Sequence, residues 1–308
     1  MLKYVLKRLG YILVTLWVIV TCTFFMMKNL PGTPFDAERF SIMTPQQQER
    51  VLEMYGLNDS LPMQYVKYIK NMLKGDLGTS FTYVNKDVSK VITGRLGPSA
   101  LIGIQAVLIG LAIGLILGIL AAWKHNSGID YLTMILAVLG VSVPNFVAAA
   151  LLQYYIGLKW GALPVGFWTG WNCSVLPSIA LSFSATAMVA RFMRTEMLDV
   201  LDQDYIVTAR AKGLSQMKVL MRHAVRNSIL PVVTILGPIV VNLMTGSLAV
   251  ENIFSIPGIG SLFVDCIKAN DYPVIMGITI FYAAFYMLVV LLVDLAYSLI
   301  DPRIRLAK

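Results

Sequence analysis

Six long apolar stretches decide what this chain can fold into before any other feature is weighed. They lie near Leu9–Met27, Ser99–Trp123, Tyr131–Leu158, Val175–Met193, Ser228–Val250 and Val274–Ile300. Each is close to or longer than the roughly 20 residues that carry an α-helix across a hydrocarbon core about 30 Å thick. Inside lipid every backbone amide needs an internal partner, and a helix supplies one at each residue. Hydrophobic residues make up 57% of the 308 positions and charged residues 14%. That is more apolar surface than one soluble core can hide. The expected fold class is therefore an all-α membrane protein with six transmembrane helices.

Lysine and arginine positions orient the spans. Lys3, Lys7 and Arg8 precede the first run, which is long for a signal-peptide core and is followed by no small-x-small cleavage site, so a retained signal anchor is expected. Six spans put both termini on one side. With that side inside, the inner segments hold Lys124, Arg191, Arg194, Arg210, Lys212, Lys218, Arg222, Arg226, Arg303, Arg305 and Lys308 besides the N-terminal three, while the short outer loops offer Lys159 and Lys268. Residues 28–97 carry nine Lys/Arg against seven Asp/Glu, and a loop this long is largely exempt from the rule. N-in, C-in topology follows, and the net charge of +8 is mostly a topological signal rather than a footprint for nucleic acid. Cys22, Cys173 and Cys266 form no CxxC or His-Cys cluster, so no metal site is expected, and chance placement is preferred to a Cys173–Cys266 disulfide.

The chain divides into residues 1–27 with the first span, an outer helical loop 28–97, and a five-span core 98–308. In the outer loop Thr44-Pro45 reads as a cap with proline at the first helical position of a helix near Gln46–Glu53, stopped at Gly56. A second helix is expected over Pro62–Lys74. Its apolar Met63, Val66, Ile69, Met72 and Leu73 are expected to pack on the bundle, leaving the lysine face to a partner. In the second span Gly110, Gly114 and Gly118 share one face at spacings of four, a pattern for close helix packing; Gly103 adds to the same small-residue series.

The segment 194–227, between spans four and five, carries the functional signal. Asp202 or Asp204 can cap a short helix on which Tyr205, Thr208, Ala209 and Lys212 share a face, and Gly213 ends it. Ser215 can cap a second helix, Gln216–Arg226, before Pro231 marks entry to the next span. This is a rigid projection, with small Ala209 and Gly213 open to another protein and charge from Arg210 and Lys212.

The run YIVTARAKGLS followed by RHAVRNSILPV resembles the coupling-loop motif of binding-protein-dependent ABC importer permeases, in its peptide-permease form. Ala209 and Gly213 match the motif's second alanine and its glycine, while Val207 and Thr208 stand where the generic motif has glutamate and alanine. The opening MLKYVLKRLGYILVTLWVIVTCTFFMMKNLPGTPF, GDLGTSF, GSLAVENIFSIPGIGSLF and LVDLAYSLIDPRIRL resemble the B-type subunit of oligopeptide permeases, over nearly the whole chain.

The resemblance implies a type I importer permease in a bacterial cytoplasmic (inner or plasma) membrane, forming half of a path for oligopeptides. Relatives carrying dipeptides, glutathione or nickel chelates are the alternative cargoes. It implies a second, unlike C-type permease subunit, two ATPase subunits holding ATP and Mg, and an extracellular or periplasmic peptide-binding protein, with no cofactor on this chain. Asp204, Tyr205, Thr208, Ala209, Arg210, Ala211, Lys212 and Gly213 then form the ATPase-coupling helix. Glu251, Pro257, Gly258 and Gly260 lie in an expected outer turn that shapes a gate or docks the binding protein, or only reverses the chain. Ser142, Asn145, Asn242, Thr245 and Ser247 either line a path or bond helices together. Asp294, an acid within a span, is read as pairing with an arginine such as Arg191 in preference to a proton relay.

Two other classes stand as rivals. A secondary transporter usually shows paired half-repeats and midplane charges, and no such repeat is visible. An intramembrane enzyme has little to work with: the two histidines, His125 and His223, lie in inner loops, and no HExxH, GxSxG or Walker A run occurs. No catalytic residue is expected.

Overall fold

The computed structural model describes residues 2–29, 40, 42–54, 56–83 and 86–300. Residues 30–35 of the opening motif, residues 301–306 of the closing one, and the terminal Arg303, Arg305 and Lys308 used for orientation lie outside the described residues. Among those described the chain is helical: α1 (Leu2–Lys28), α2 (Pro45–Met54), α3 (Leu61–Leu73), α4 (Val88–Trp123), α5 (Gly128–Ser142), α6 (Asn145–Leu152), α7 (Val175–Leu201), α8 (Asp204–Ala211), α9 (Gln216–Val219), α10 (Arg226–Met244), α11 (Leu248–Ile253), α12 (Ile259–Lys268) and α13 (Tyr272–Ile300). Five helical runs are long and apolar enough to cross a membrane, and α5 with the α6 region makes a sixth as a bent pair. Outward-facing Leu13, Leu108, Ile116, Leu139, Leu158 and Leu292 are exposed, the pattern of a protein whose solvent is lipid.

Two spans differ from the straight helices expected. The third is broken: α5 and the helical stretch Asn145–Lys159 meet at 100°. Val143 is extended at φ −79°, ψ 118°, and Pro144 follows at φ −58°, ψ 137°. A proline disfavours helical geometry in the residue before it and offers no N–H of its own. Beyond α6 the helix widens to π-type over Gln153–Lys159. The fifth span starts earlier than Ser228, because α9 runs through a π-helical turn, Leu220–Val225, directly into α10.

Contacts group the chain into two units, residues 98–258 with 285 onward and residues 2–97 with 259–284. In the first unit α7 is the central element, burying Leu176, Val189, Met193 and Met197. The glycine face of α4 packs on it as expected. A Cβ at Gly110 would stand 2.7 Å from Ala185 Cβ, at Gly114 2.7 Å from Val189 Cβ, and at Gly118 2.6 Å from the Ala190 carbonyl oxygen. Gly103 lies equally close to Leu243 and Met244 of α10.

In the second unit Val88, Ile92, Ile259, Leu262, Ile275 and Ile278 form the core. α2 begins with a reciprocal cap: the Gln47 amide donates to Thr44 Oγ1 at 3.4 Å, and the Thr44 amide to Gln47 Oε1 at 2.9 Å. Helix α3 reverses the expected arrangement. It docks on α1 through Tyr65 and Tyr68, with Tyr65 Oη 2.7 Å from Thr21 Oγ1 and Tyr68 stacked on Phe24, whereas Met63, Val66 and Leu73 remain exposed. Aromatic rings on the partly polar flank reach α1, Ile69 and Met72 are half-buried, and the rest of the aliphatic stripe faces outward.

Candidate functional site: the 194–227 loop and the 246–263 segment

Helix α8 stands where the sequence places the coupling helix, but its orientation corrects part of the reading. Gln203 is its N-cap, with no side-chain cap bond, and Asp204 is its first residue. Ile206 and Ala209 are buried against Val219, Val200, Leu201 and Leu214. Ala209 therefore faces the loop's own core and is not open to another protein. Spacings of three and four fix which residues share a face and leave open which face turns inward; the larger apolar Ile206, not singled out beforehand, decides it. Tyr205, Val207, Thr208, Arg210, Ala211 and Lys212 are exposed. Asn227 Nδ2 donates to Tyr205 Oη at 3.0 Å and so braces α8 against the start of α10.

Gly213 ends α8 at φ +78° with nothing within 4 Å of a Cβ placed on it. Its amide donates to the Arg210 carbonyl at 2.9 Å and that of Leu214 to Ala209 at 3.4 Å, a left-handed cap that glycine makes without strain. The requirement for glycine lies in the backbone angle, since space is ample. Ser215 is the N-cap of α9 without a side-chain cap bond.

The 246–263 segment is not a simple turn. Glu251 sits in α11 and is 3% exposed, Pro257 and Gly258 belong to the bend after it, and Gly260 is buried in the first turn of α12. Ser99 Oγ donates to Glu251 Oε1 at 2.8 Å. The carboxylate also lies against Gly258, where an added Cβ would fall 2.1 Å from Glu251 Cδ. A larger residue at 258 cannot coexist with the acid in this position. Ser247 and Glu251, with Ser99 and Gly246, line a cavity of about 10 Å³, close to the smallest that holds a water.

Of the other candidate path residues, Ser142 and Asn145 flank the α5–α6 bend, with Ser142 exposed and Asn145 half-buried. Asn242 is exposed near the end of α10, while Thr245 Oγ1 donates to the Val241 carbonyl at 2.9 Å within its own helix. Asp294 lies in α13 with Oδ2 buried; Arg191 is exposed. Cys173 and Cys266 are both buried free thiols. Burial, with Asp271 and Asp265 nearby, pushes the Cys266 thiol up to about 12.

Two family models match the chain. Residues 1–97 match the N-terminal membrane component of binding-protein-dependent transport systems, and residues 114–306 match the binding-protein-dependent transport system inner membrane component. The chain belongs to this family. This transport-system membrane component is 46% identical over 306 residues to the dipeptide transport system permease protein DppB of Lactococcus lactis subsp. cremoris, across 99% of this chain and 100% of the relative. It is 43% identical to the DppB of Bacillus subtilis, across 100% of this chain and 99% of the relative. Against the oligopeptide transport system permease protein OppB of Escherichia coli K12 it is 38% identical, across 99% and 100%. A crystal structure of an amino acid ABC transporter with histidines shares the fold at a TM-score of 0.51 and 20% identity, covering 70% of this chain and 94% of that one.

The membrane component holds two further buried carboxylates that the sequence did not single out. Asp130, 1% exposed, receives Arg194 Nε at 2.5 Å on Oδ1 and Arg194 Nη2 at 2.8 Å on Oδ2. The Asn126 amide donates to the same Oδ2 at 3.1 Å, and His125 Nδ1 lies 3.1 Å from it. Asp271, 0% exposed, receives Ser80 Oγ at 2.5 Å and the amides of Phe81 and Thr82 at 3.1 Å. The charged partner of Asp130, Arg194, and all the partners of Asp271 are distant in sequence, so no local spacing announces either pair. For Asp271 a faint signal existed, since Ser80 lies within GDLGTSF.

Proposed function

We propose that this chain is the B-type permease subunit of an ATP-driven peptide importer in a bacterial cytoplasmic membrane, oriented N-in and C-in. It forms half of the translocation path beside an unlike permease subunit. Two ATPase subunits bind and hydrolyse ATP with Mg, and an outer binding protein delivers the cargo. The observation that carries this reading is identity of 38–46% over essentially the full length of permeases named for dipeptide and oligopeptide transport. The chain's family is itself defined by dependence on a binding protein. The exposed face of α8, with Tyr205, Thr208, Arg210 and Lys212, supports docking into an ATPase groove, and its packed inner face supports force transfer. Glu251 and Gly258 would hold the outer segment at the mouth, and Ser142, Asn145, Asn242 and Ser247 would offer polar groups to the path.

Oligopeptides are the cargo favoured by motif resemblance. The DppB relatives, at 46% and 43% against 38% for the OppB of E. coli, favour dipeptides as a second reading. Uptake of labelled di-, tri- and pentapeptides by the complex reconstituted in proteoliposomes separates the two. ATP-dependent accumulation is expected. Accumulation by the isolated chain without ATPase subunits would replace this reading with a secondary transporter.

A further inference from the structure

The 98–258 unit contains a series of attachments running from the candidate coupling helix to residues 246–258, and the broken third span lies at its centre. At its start, Ile206 and Ala209 fix α8 to the end of α7 through Val200 and Leu201. Two helical turns back along α7, Arg194 grips Asp130 at the start of α5 through two parallel hydrogen bonds of 2.5 and 2.8 Å. Such a fork restrains rotation as well as distance. Further along the same pair of helices, Gly140 brings α5 against α7 so closely that a Cβ would stand 3.0 Å from the Phe183 carbonyl oxygen and 3.1 Å from Ala187 Cβ. With two attachments α5 must follow α7 as one body.

Beyond the 100° bend α6 still packs on α7, and attachments to the segment that carries Glu251 are added. Gln153, at the head of the π-helical turn, donates through Nε2 to the Ile253 carbonyl at 2.7 Å and to the Val165 carbonyl at 2.6 Å. The Phe167 amide adds a bond of 2.8 Å to the Phe254 carbonyl. Ile253 is two residues past Glu251, which Ser99 holds at 2.8 Å. The third span thus packs along both arms on the helix that bears the 194–227 loop, and its second arm is also bonded to the segment that carries Glu251. A bend at a proline is where such a rod changes shape without breaking packed contacts on either arm.

We propose that the broken third span is the linkage that carries movement of the coupling helix to the outer segment, with Asp130 and Arg194 as positioning residues at its inner joint and Gln153 at its outer joint. This rests on the permease reading above. A merely structural pair would lower stability when broken and leave coupling intact in whatever protein assembles; a joint leaves assembly intact and loses coupling.

The test uses the full complex in proteoliposomes, with peptide uptake and ATP hydrolysis measured together. D130N, R194Q and Q153L are each expected to assemble, to keep basal hydrolysis, and to move about tenfold less peptide per ATP, within the usual span of a coupling free energy. D130E and R194K, which keep the charges, are expected to restore most of the loss. Spin labels at Leu136 on α5 and Met217 in the 194–227 loop are expected to hold one separation through the ATP cycle in the parent and to separate in D130N. Absence of ATP-driven uptake in the parent complex would sink the permease reading itself. A coupled parent with normal peptide per ATP in all three variants would overturn the linkage alone. So would failure of every variant, D130E and R194K included, to assemble, since the residues would then serve folding only.

Discussion

At the scale of single residues, two glycines are needed for different reasons. Gly213 has open space around it and a φ of +78°, so what it supplies is a left-handed backbone that costs other residues about 1–2 kcal/mol. Asparagine tolerates that region and valine does not. G213N is therefore expected to keep ATPase pull-down and peptide uptake near the parent level, and G213V to lose most of both; equal behaviour of the two would show that backbone angle is not what matters there. Gly258 has the opposite problem, no room, because the Glu251 carboxylate fills the position of its Cβ. G258A is expected to lower the melting temperature in detergent, and E251A to recover part of that loss in the double variant, the signature of two sites sharing one volume. Additive losses would contradict the clash.

Among the elements, what was legible in the sequence was whatever is written in local spacing. The Thr44 cap, the glycine face of α4 and the stop at Gly213 are each contained within a few turns, and the structure has all three. The direction of a face is less legible: Ala209 shares a stripe with Thr208 and Lys212 only until Ile206 claims the buried side. Ser142 and Asn145 marked a polar interruption of the third span, yet a 100° bend depends on what the two arms pack against. Buried acids were the least legible. Asp130 and Asp271 meet partners 64 and 191 positions away, where no periodicity can point. Asp271 pins the turn at Ser80–Thr82, and its loss leaves the buried Ser80 hydroxyl without this acceptor, worth about 1–3 kcal/mol, and frees two part-buried amides. D271A is expected to free this loop to trypsin at Lys86 well below the global melting temperature. Unchanged digestion would remove the latch from the account.

For the whole molecule, the apolar stretches made the class of protein readable, and the distribution of lysine and arginine supplies an expected orientation, because both follow from the bilayer as solvent. The orientation is checked by single cysteines introduced at Lys212 and Lys159 of a chain lacking its native cysteines, probed in intact cells with a membrane-impermeant maleimide. Labelling is expected at 159 alone; labelling at 212 from outside would invert the topology and detach α8 from any cytoplasmic motor.

The bend in the third span has a cost in backbone chemistry. Pro144 has no amide hydrogen for the carbonyl of Gly140, and a helix that stops leaves its last carbonyls, and the first amides of the helix that follows, without mates in the ladder. Midway through an apolar crossing such groups have only solvent or a neighbouring polypeptide to turn to. The middle of this crossing is therefore a place where solvent or a neighbouring polypeptide must supply the partners that the helix does not, and that requirement traces to a single imino acid.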